Sequence, residues 1–246
     1  MLEIALVFLL GFVSSFVGSV ASGAGLISVP GLLLLGIPPH VALATAKFGG
    51  IGTRTGNLVR YFRSGFTVKH LVLPMTIIAG IGGMIGARIL IEVDEKFLTK
   101  LVGILLIVLL PFLYLRRDIG LVQKNISKAR ERYSHILYLV QKTWQGFFGP
   151  GSGFLSLYVM LNAYGLTILQ AKATTRLPGF VSTVASSTVF LLAGLVNFKL
   201  GIPLLVGMLF GGYVGAHTAI KKGNAWIKPI IGIFILFVGV KLLFFQ

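Results

Sequence analysis

The chain has 246 residues, of which 56% are hydrophobic and 11% are charged, and its mean hydropathy is +0.94. A soluble domain of this length has too little polar surface to cover so much apolar area, so the composition indicates a membrane protein. The formal charge of +16 would suggest a nucleic-acid partner in a soluble protein. Here most basic residues flank apolar segments, so we expect the bilayer as a partner and no nucleic acid.

Apolar stretches of membrane-spanning length recur from one end of the chain to the other. They predict two groups of helical segments, separated by a polar and basic linker. The first group is 2–22, the short half-helix 26–35, 39–62, 68–91 and 97–115. The second group is 134–148, the half-helix 154–164, 169–196, 200–220 and 226–245.

The two groups repeat one another. One constant offset aligns Thr45 with Thr174 and Lys47 with Arg176. The same offset aligns further small residues: Gly36 with Gly165, Gly82-Gly83 with Gly211-Gly212, and Gly86-Ala87 with Gly215-Ala216. Agreement at one offset over so long a stretch indicates an internal repeat.

Loop charge predicts how the chain is oriented, because Lys and Arg concentrate in cytoplasmic loops. The loops at 60–69, 116–132 and 221–228 are rich in Lys and Arg, whereas those at 92–96 and 197–200 are not. Equivalent loops of the two groups therefore lie on opposite sides. This pattern predicts an inverted repeat in the cytoplasmic (inner) membrane, with both termini outside.

The domain organisation follows from this orientation. We expect a first transmembrane repeat at 1–115, a basic cytoplasmic linker at 116–132 and a second, inverted repeat at 133–246. The predicted fold is an all-α polytopic membrane protein, in which each repeat is a broken helical hairpin plus three transmembrane helices. The sequence leaves open whether the hairpins span the membrane or re-enter it.

A glycine break interrupts each repeat at corresponding positions, at Gly23-Ala24-Gly25 and at Gly151-Ser152-Gly153. Because glycine inside a helix costs up to about 1 kcal/mol, two matched breaks indicate either a binding site or close helix packing. The half-helix after each break would present free backbone N–H groups and the positive end of its dipole, which together bind anions. We therefore expect both breaks to contact a substrate.

Basic residues within apolar segments are the second candidate feature. Thr45-Ala46-Lys47 and its repeat mate Thr174-Thr175-Arg176 lie inside membrane segments, where a cation is costly. No acid lies nearby in sequence, which favours a bound anion as the partner, and snorkelling to the interface is the alternative. Arg54 lies seven residues after Lys47 on the same helix face, so we expect it in the same site.

Other kinds of site find little support. No apolar segment carries a carboxylate near its middle, which excludes the usual acidic proton relay. His217, the repeat mate of Arg88, is a candidate for proton coupling, whereas we expect Arg88 to snorkel. The histidines are scattered and the chain has no cysteine, so we expect no metal and no cofactor. No nucleophile–base–acid set can be assembled, so the sequence does not predict an enzyme.

Several motifs in both halves occur in the order and spacing of a known family. They are GAGLISVP at 23–30, LGIPPHVALAT at 35–45, GSGF at 151–154, AKATT at 171–175 and LAGLVN at 192–197. With these motifs the chain resembles the sulfite/organosulfonate exporter family of TauE/SafE type, also called the toluene-sulfonate uptake permease group. The resemblance implies a polytopic transporter of sulfur-containing anions such as sulfite, thiosulfate or organosulfonates. Lys47 and Arg176 stand where the family often has neutral residues, which also favours an anion.

The sequence thus predicts a secondary transporter of a small anion of the sulfite, thiosulfate or sulfoacetate class. The anion would bind at the midplane between the two half-helix N-termini and the basic residues, and one half would move against the other to expose it alternately to each side. An anion channel and a non-transporting membrane scaffold are the alternatives. The expected partners are the anion and the bilayer, and homo-oligomerisation is left open.

Overall fold

A computed structural model describes residues 2–21, 24–61, 66–109 and 126–222 of the chain. Within these ranges the chain forms helices and no strand. The helices are α1 (Leu2–Ala21), α2 (Gly25–Leu34), α3 (Pro39–Tyr61), α4 (Lys69–Glu92), α5 (Glu95–Leu109), α6 (Lys128–Phe147), α7 (Ser152–Asn162), α8 (Ile168–Thr174), α9 (Arg176–Leu192) and α10 (Phe198–Lys222). The segment predicted at 226–245, residues 110–125 and Gly23 lie outside the described residues.

Three of these helices, α1, α4 and α10, are long and apolar enough to cross a membrane by themselves. α3 is of similar length but carries cations along its course, which lowers its mean hydropathy. The prediction of an all-α polytopic membrane protein is confirmed. The inverted relation of the two halves stays a prediction.

Two boundaries differ from the sequence prediction. α6 begins at Lys128 rather than near residue 134, because the Ser127 side chain accepts a hydrogen bond from Arg130 N at 3.2 Å and so caps the helix. The segment predicted as one helix over 169–196 is broken at Thr175 into α8 and α9. Pro178 explains the break, since it donates no backbone hydrogen bond and its ring crowds the carbonyl of Thr174. The equivalent residue of α3 is Gly49, and α3 is continuous.

Polar contacts define two opposite ends of the helix bundle. At the basic end, Arg130 donates to Asn162 O at 2.7 Å, and His70 lies 3.6 Å from Glu131. This end therefore gathers the start of α4, the start of α6 and the end of α7.

The opposite, acidic end holds the start of α1, the start of α3, the end of α4 and the start of α10. There Lys199 pairs with Glu3 at 2.9 Å, and His40 contacts Glu95 at 3.2 Å and Leu90 O at 3.1 Å. The α1–α2 hairpin thus leaves the acidic end and returns to it, and the α6–α7 hairpin does the same at the basic end.

Glycines form close seams between helices of different halves. α1 packs along α10, where a Cβ added to Gly11 or Gly215 would lie 2.5 Å from a carbonyl oxygen of the other helix. α4 packs along α6 in the same way, at Gly82 and Gly86. α3 joins the first pair and α9 the second. The bundle therefore consists of two groups, α1/α3/α10 and α4/α6/α9, and each group contains helices of both halves.

Candidate functional site

The two glycine breaks meet in the interior of the bundle. A Cβ added to Gly25, the first residue of α2, would lie 3.1 Å from the Cα of Pro150, in the break before α7. Gly149 and Gly151 have φ angles of 81° and 71°, a left-handed conformation that glycine adopts without strain. The two breaks, one from each half of the chain, therefore lie next to each other.

A cavity of about 190 Å³ lies where the breaks meet. The first turns of both half-helices line it, through Gly25 and Ser28 of α2 and through Ser152, Gly153 and Ser156 of α7. Because the first N–H groups of a helix have no partner within that helix, both termini direct donors and a positive dipole end towards this space.

Basic side chains line the same cavity from four helices. They are Lys47 and Arg54 of α3, Lys142 of α6, Lys172 of α8 and Arg176 of α9. No aspartate or glutamate is among the lining residues of the described chain. The cavity is therefore strongly electropositive.

The acids that the structure describes lie at the two ends of the bundle. At the acidic end, Glu3 and Glu92 form ion pairs with Lys199 and Arg88, and Glu95 contacts His40. Asp94 caps the start of α5 there with hydrogen bonds of 3.0 and 3.1 Å. Glu131 contacts His70 at the basic end. None of the five neutralises the cavity.

Gln145 connects two of the lysines. Its backbone oxygen accepts a hydrogen bond from Lys47 Nζ, and its side-chain Oε1 accepts one from Lys142 Nζ at 2.7 Å. The Lys142 side chain is 2% exposed, and its Nζ lies 5.0 Å from the ring centroid of Tyr138. These contacts of both ammonium groups are to neutral atoms. They orient the groups without cancelling their charge.

Arg54 reaches across from α3 to α9. A Cβ added to Gly179 would lie 3.0 Å from Arg54 Nη1, so the guanidinium rests against the α9 backbone one turn after Arg176. A glycine at this position leaves room for that approach. The two arginines therefore lie close together on one wall of the cavity.

Most residues that the sequence singled out lie around this cavity. They are Ala24, Gly25, Lys47, Arg54, Gly151, Ser152, Gly153, Thr175 and Arg176. The geometry thus brings together the break residues and the basic residues that were predicted separately.

Thr45 and Thr174 do not line the cavity. Thr45 Oγ1 accepts a hydrogen bond of 3.1 Å from Asn197 N, just before α10, and Thr174 Oγ1 accepts one of 3.0 Å from Val68 N, just before α4. Both hydroxyls are buried and hold the start of a long helix from the other half. The repeat offset found these two residues because they perform the same structural role.

His217 and Arg88 also lie away from the cavity. His217 is half-buried on α10, and Arg88 is exposed on α4, 3.5 Å from Glu92. The exposed position of Arg88 fits the snorkelling expected for it.

Lys142, Lys172 and Gln145 also line the cavity, although the sequence did not predict them as site residues. Lys142 has no basic repeat mate, so the offset gave no signal for it. A lysine between Gln141 and Thr143, in a helix that leads into a glycine break, is the local feature that indicates it. Lys172 lies one helical turn before Arg176, a spacing that would have placed it on the same face.

Comparison with known proteins agrees with this architecture. The profile of the family described as "Sulfite exporter TauE/SafE" matches residues 6–242. A "Probable membrane transporter protein ORF9" of a Sinorhizobium species is 30% identical over 240 residues, which cover 98% of this chain and 92% of the relative. A "Probable membrane transporter protein" of Haemophilus influenzae is 29% identical, over 99% and 95% of the two chains.

A third relative, the "Probable membrane transporter protein YfcA" of Escherichia coli, is 26% identical over 99% of this chain and 90% of its own. No solved structure gives a significant match. All three relatives are named probable membrane transporter proteins, and each match covers at least 90% of both chains. The chain is therefore a multi-pass membrane transporter that belongs to the sulfite exporter TauE/SafE family.

Proposed function

We propose that this protein is a secondary transporter that carries a small sulfur oxyanion or organosulfonate, such as sulfite, thiosulfate or sulfoacetate. The observation that carries the proposal is the central cavity, where two half-helix N-termini and five basic residues meet with no carboxylate among the lining residues described. Lys47 and Lys142 donate hydrogen bonds to neutral oxygen atoms of Gln145, and a cation buried in a membrane is expensive. An anion in the cavity supplies the opposite charge for these two lysines.

The size of the cavity fits a small ligand. Its volume of about 190 Å³ equals that of ~6 water molecules at ~30 Å³ each, enough for one small oxyanion with part of its hydration shell. Lys47 and Arg176, which are repeat mates, would contact the anion from opposite halves of the chain. Lys142, held by Gln145, would add a third positive group.

Transport would proceed by alternating access. The close glycine seams favour movement of α1/α3/α10 as one body and α4/α6/α9 as the other, with the anion between them. The bodies are thus mixed groups of helices rather than the two sequence halves. The charge of the bundle ends favours a cytoplasmic location for the basic end, which carries Lys69, Lys128, Arg130 and Arg132.

Binding to purified protein in nanodiscs tests the proposal. Radiolabelled sulfite, thiosulfate and sulfoacetate are titrated against wild-type protein and against Lys47→Met and Arg176→Met. Loss of one partner of a buried charge pair costs about 2–5 kcal/mol. At about 1.4 kcal/mol per tenfold, this corresponds to a Kd raised by roughly 30-fold to several thousandfold.

Lys199→Met is the matched control, because Lys199 is an exposed lysine that pairs with Glu3 far from the cavity. We expect its Kd to equal that of the wild type. Elution as a single species in size-exclusion chromatography verifies that each variant is folded. Unchanged affinity in both cavity variants would refute the anion site. If the protein gives single-channel currents in planar bilayers, it is an anion channel rather than an alternating-access transporter.

A further inference from the structure

The cavity is not symmetric between the two halves of the chain. Asn57 on α3 and Ala171 on α8 line it. Their repeat mates, Ser186 on α9 and Ala42 on α3, do not line it. The cavity therefore extends further towards the basic end, where α3 ends and α8 begins, than towards the acidic end.

The charges of the cavity share this asymmetry. Lys47 and Arg176 are repeat mates and are both basic, so the centre of the site is balanced. Arg54 has Thr183 as its mate, and Lys172 has Leu43, and all four of these residues line the cavity. Two cations on the side of the basic end thus face two neutral residues at the equivalent positions on the side of the acidic end.

Both cations lie on the basic-end side of Lys47. The Arg54 guanidinium rests against Gly179, one turn after Arg176 on α9, so in depth it lies between Arg176 and Lys47. Lys172 lies four residues after the start of α8 at Ile168, or about 6 Å. An anion that approaches from the basic end therefore passes them before it reaches Lys47.

We infer that Arg54 and Lys172 form an entrance subsite that makes the protein capture anions more tightly from the basic end than from the acidic end. The inference rests on the proposed function, because it concerns the same anion and the same cavity. Charges of one sign that line a cleft with low-dielectric walls raise the local concentration of the opposite ion and its association rate by ~10- to 1,000-fold. The neutral mates Thr183 and Leu43 provide no such field at the other end.

Sided uptake measurements test the inference. Right-side-out and inside-out vesicles are prepared from cells that express the protein. Radiolabelled sulfite is added outside the vesicles over a range of concentrations, and its initial rate of uptake is measured. Because the chain has no cysteine, a Lys69→Cys background with an impermeant maleimide identifies which vesicles expose the basic end. We expect the half-saturating sulfite concentration to be about tenfold lower when the basic end faces the sulfite.

Salt separates an electrostatic entrance from a structural effect. Raising the ionic strength from about 0.01 M to about 0.15 M shortens the Debye length from ~30 Å to ~8 Å. The half-saturating sulfite concentrations measured from the two faces are therefore expected to become more similar. The double variant Arg54→Thr and Lys172→Leu carries the residue types of the repeat mates Thr183 and Leu43. In this variant the two half-saturating concentrations are expected to be equal, whereas in Arg54→Lys they are expected to differ as in the wild type.

Each outcome is decisive. The entrance subsite is overturned if the wild-type half-saturating concentration is the same from both faces, or lower from the acidic end. Either result leaves the proposed transport function standing. A double variant that retains the wild-type difference also overturns it. Absence of saturable uptake of sulfite, thiosulfate and sulfoacetate from either face, by protein that elutes as a folded species, overturns the proposed function and the subsite with it.

Discussion

An added methyl group at Gly149 is expected to affect both the stability of the fold and the affinity for the anion, and the two effects can be measured separately. Its φ is 81°, in the left-handed region, and a Cβ added to it would lie 2.9 Å from Lys47 Nζ. Gly149→Ala therefore introduces backbone strain and also pushes the ammonium group out of its place in the cavity. Gly36 has almost the same φ, 79°, but nothing lies within 4 Å of its added Cβ. Gly36→Ala therefore reproduces the strain alone.

The two effects have different sizes and different readouts. A left-handed conformation costs a residue other than glycine roughly 1–2 kcal/mol. For a chain of this length that loss lowers the melting temperature by about 2–8 °C, and both variants are expected to show it. A displaced Lys47 additionally loses a charge-assisted interaction with the anion, worth about 1.5–3 kcal/mol. The Kd for the anion then rises by about 10- to 140-fold in Gly149→Ala only.

Thermal unfolding at a fixed scan rate and sulfite titration of the same preparations measure both quantities. Gly36→Ala is expected to melt earlier but to bind sulfite like the wild type. If the two variants lose affinity equally, Lys47 does not act through its position beside Gly149. If Gly149→Ala binds sulfite normally, the added methyl group does not displace Lys47 from the anion.

Three further predictions concern packing and the second lysine. Gly86→Ala is expected to lower the melting temperature by the equivalent of about 1–3 kcal/mol, because its Cβ would collide with the α6 backbone. Gly80→Ala is the control: its Cβ would make an ordinary 3.5 Å contact, so we expect the melting temperature to stay unchanged or rise. Thr174→Val is expected to destabilise by about 1–3 kcal/mol in the same assay without changing the Kd, since it leaves a part-buried N–H at the start of α4 unpaired; a raised Kd at unchanged stability would make Thr174 a ligand. Gln145→Leu removes the acceptor of Lys142 Nζ and is expected to change sulfite affinity at least tenfold by titration, and an unchanged Kd would exclude a role for that lysine in binding.

The sequence predicts the elements of the site that both halves share. The glycine breaks recur at an offset of 128 and the basic residue at an offset of 129, so the repeat itself marks Gly25, Gly151, Lys47 and Arg176. Local pattern also locates most helix ends to within a few residues, because apolar runs stop at Gly, Pro or charged residues. Lys142 and Lys172 belong to one half only, and no repeat signal distinguishes them from lysines at a membrane edge.

Side-chain direction is the other limit of the sequence. Thr45 and Thr175 both lie within a turn of a basic residue that lines the cavity, yet the Thr45 hydroxyl turns to the N-terminus of α10. Only the packing of helices that are distant in sequence decides which way such a hydroxyl faces. The break between α8 and α9 at Thr175 was also not predicted, although Pro178 is a local signal for it.

The seam between α1 and α10 has a consequence for how the protein is made. α1 is synthesised before α10, yet the glycines of α10 pack against the α1 backbone at Phe8, Phe12 and Phe16. At ~5–20 residues per second, the ribosome needs about 10–40 s to complete α10 after α1 is complete. During this interval lipid or the insertion machinery must cover the face of α1 that will pack on α10. A chain split in the linker would leave α1 and α4 each without its main partner, so neither half is expected to fold before the other is present.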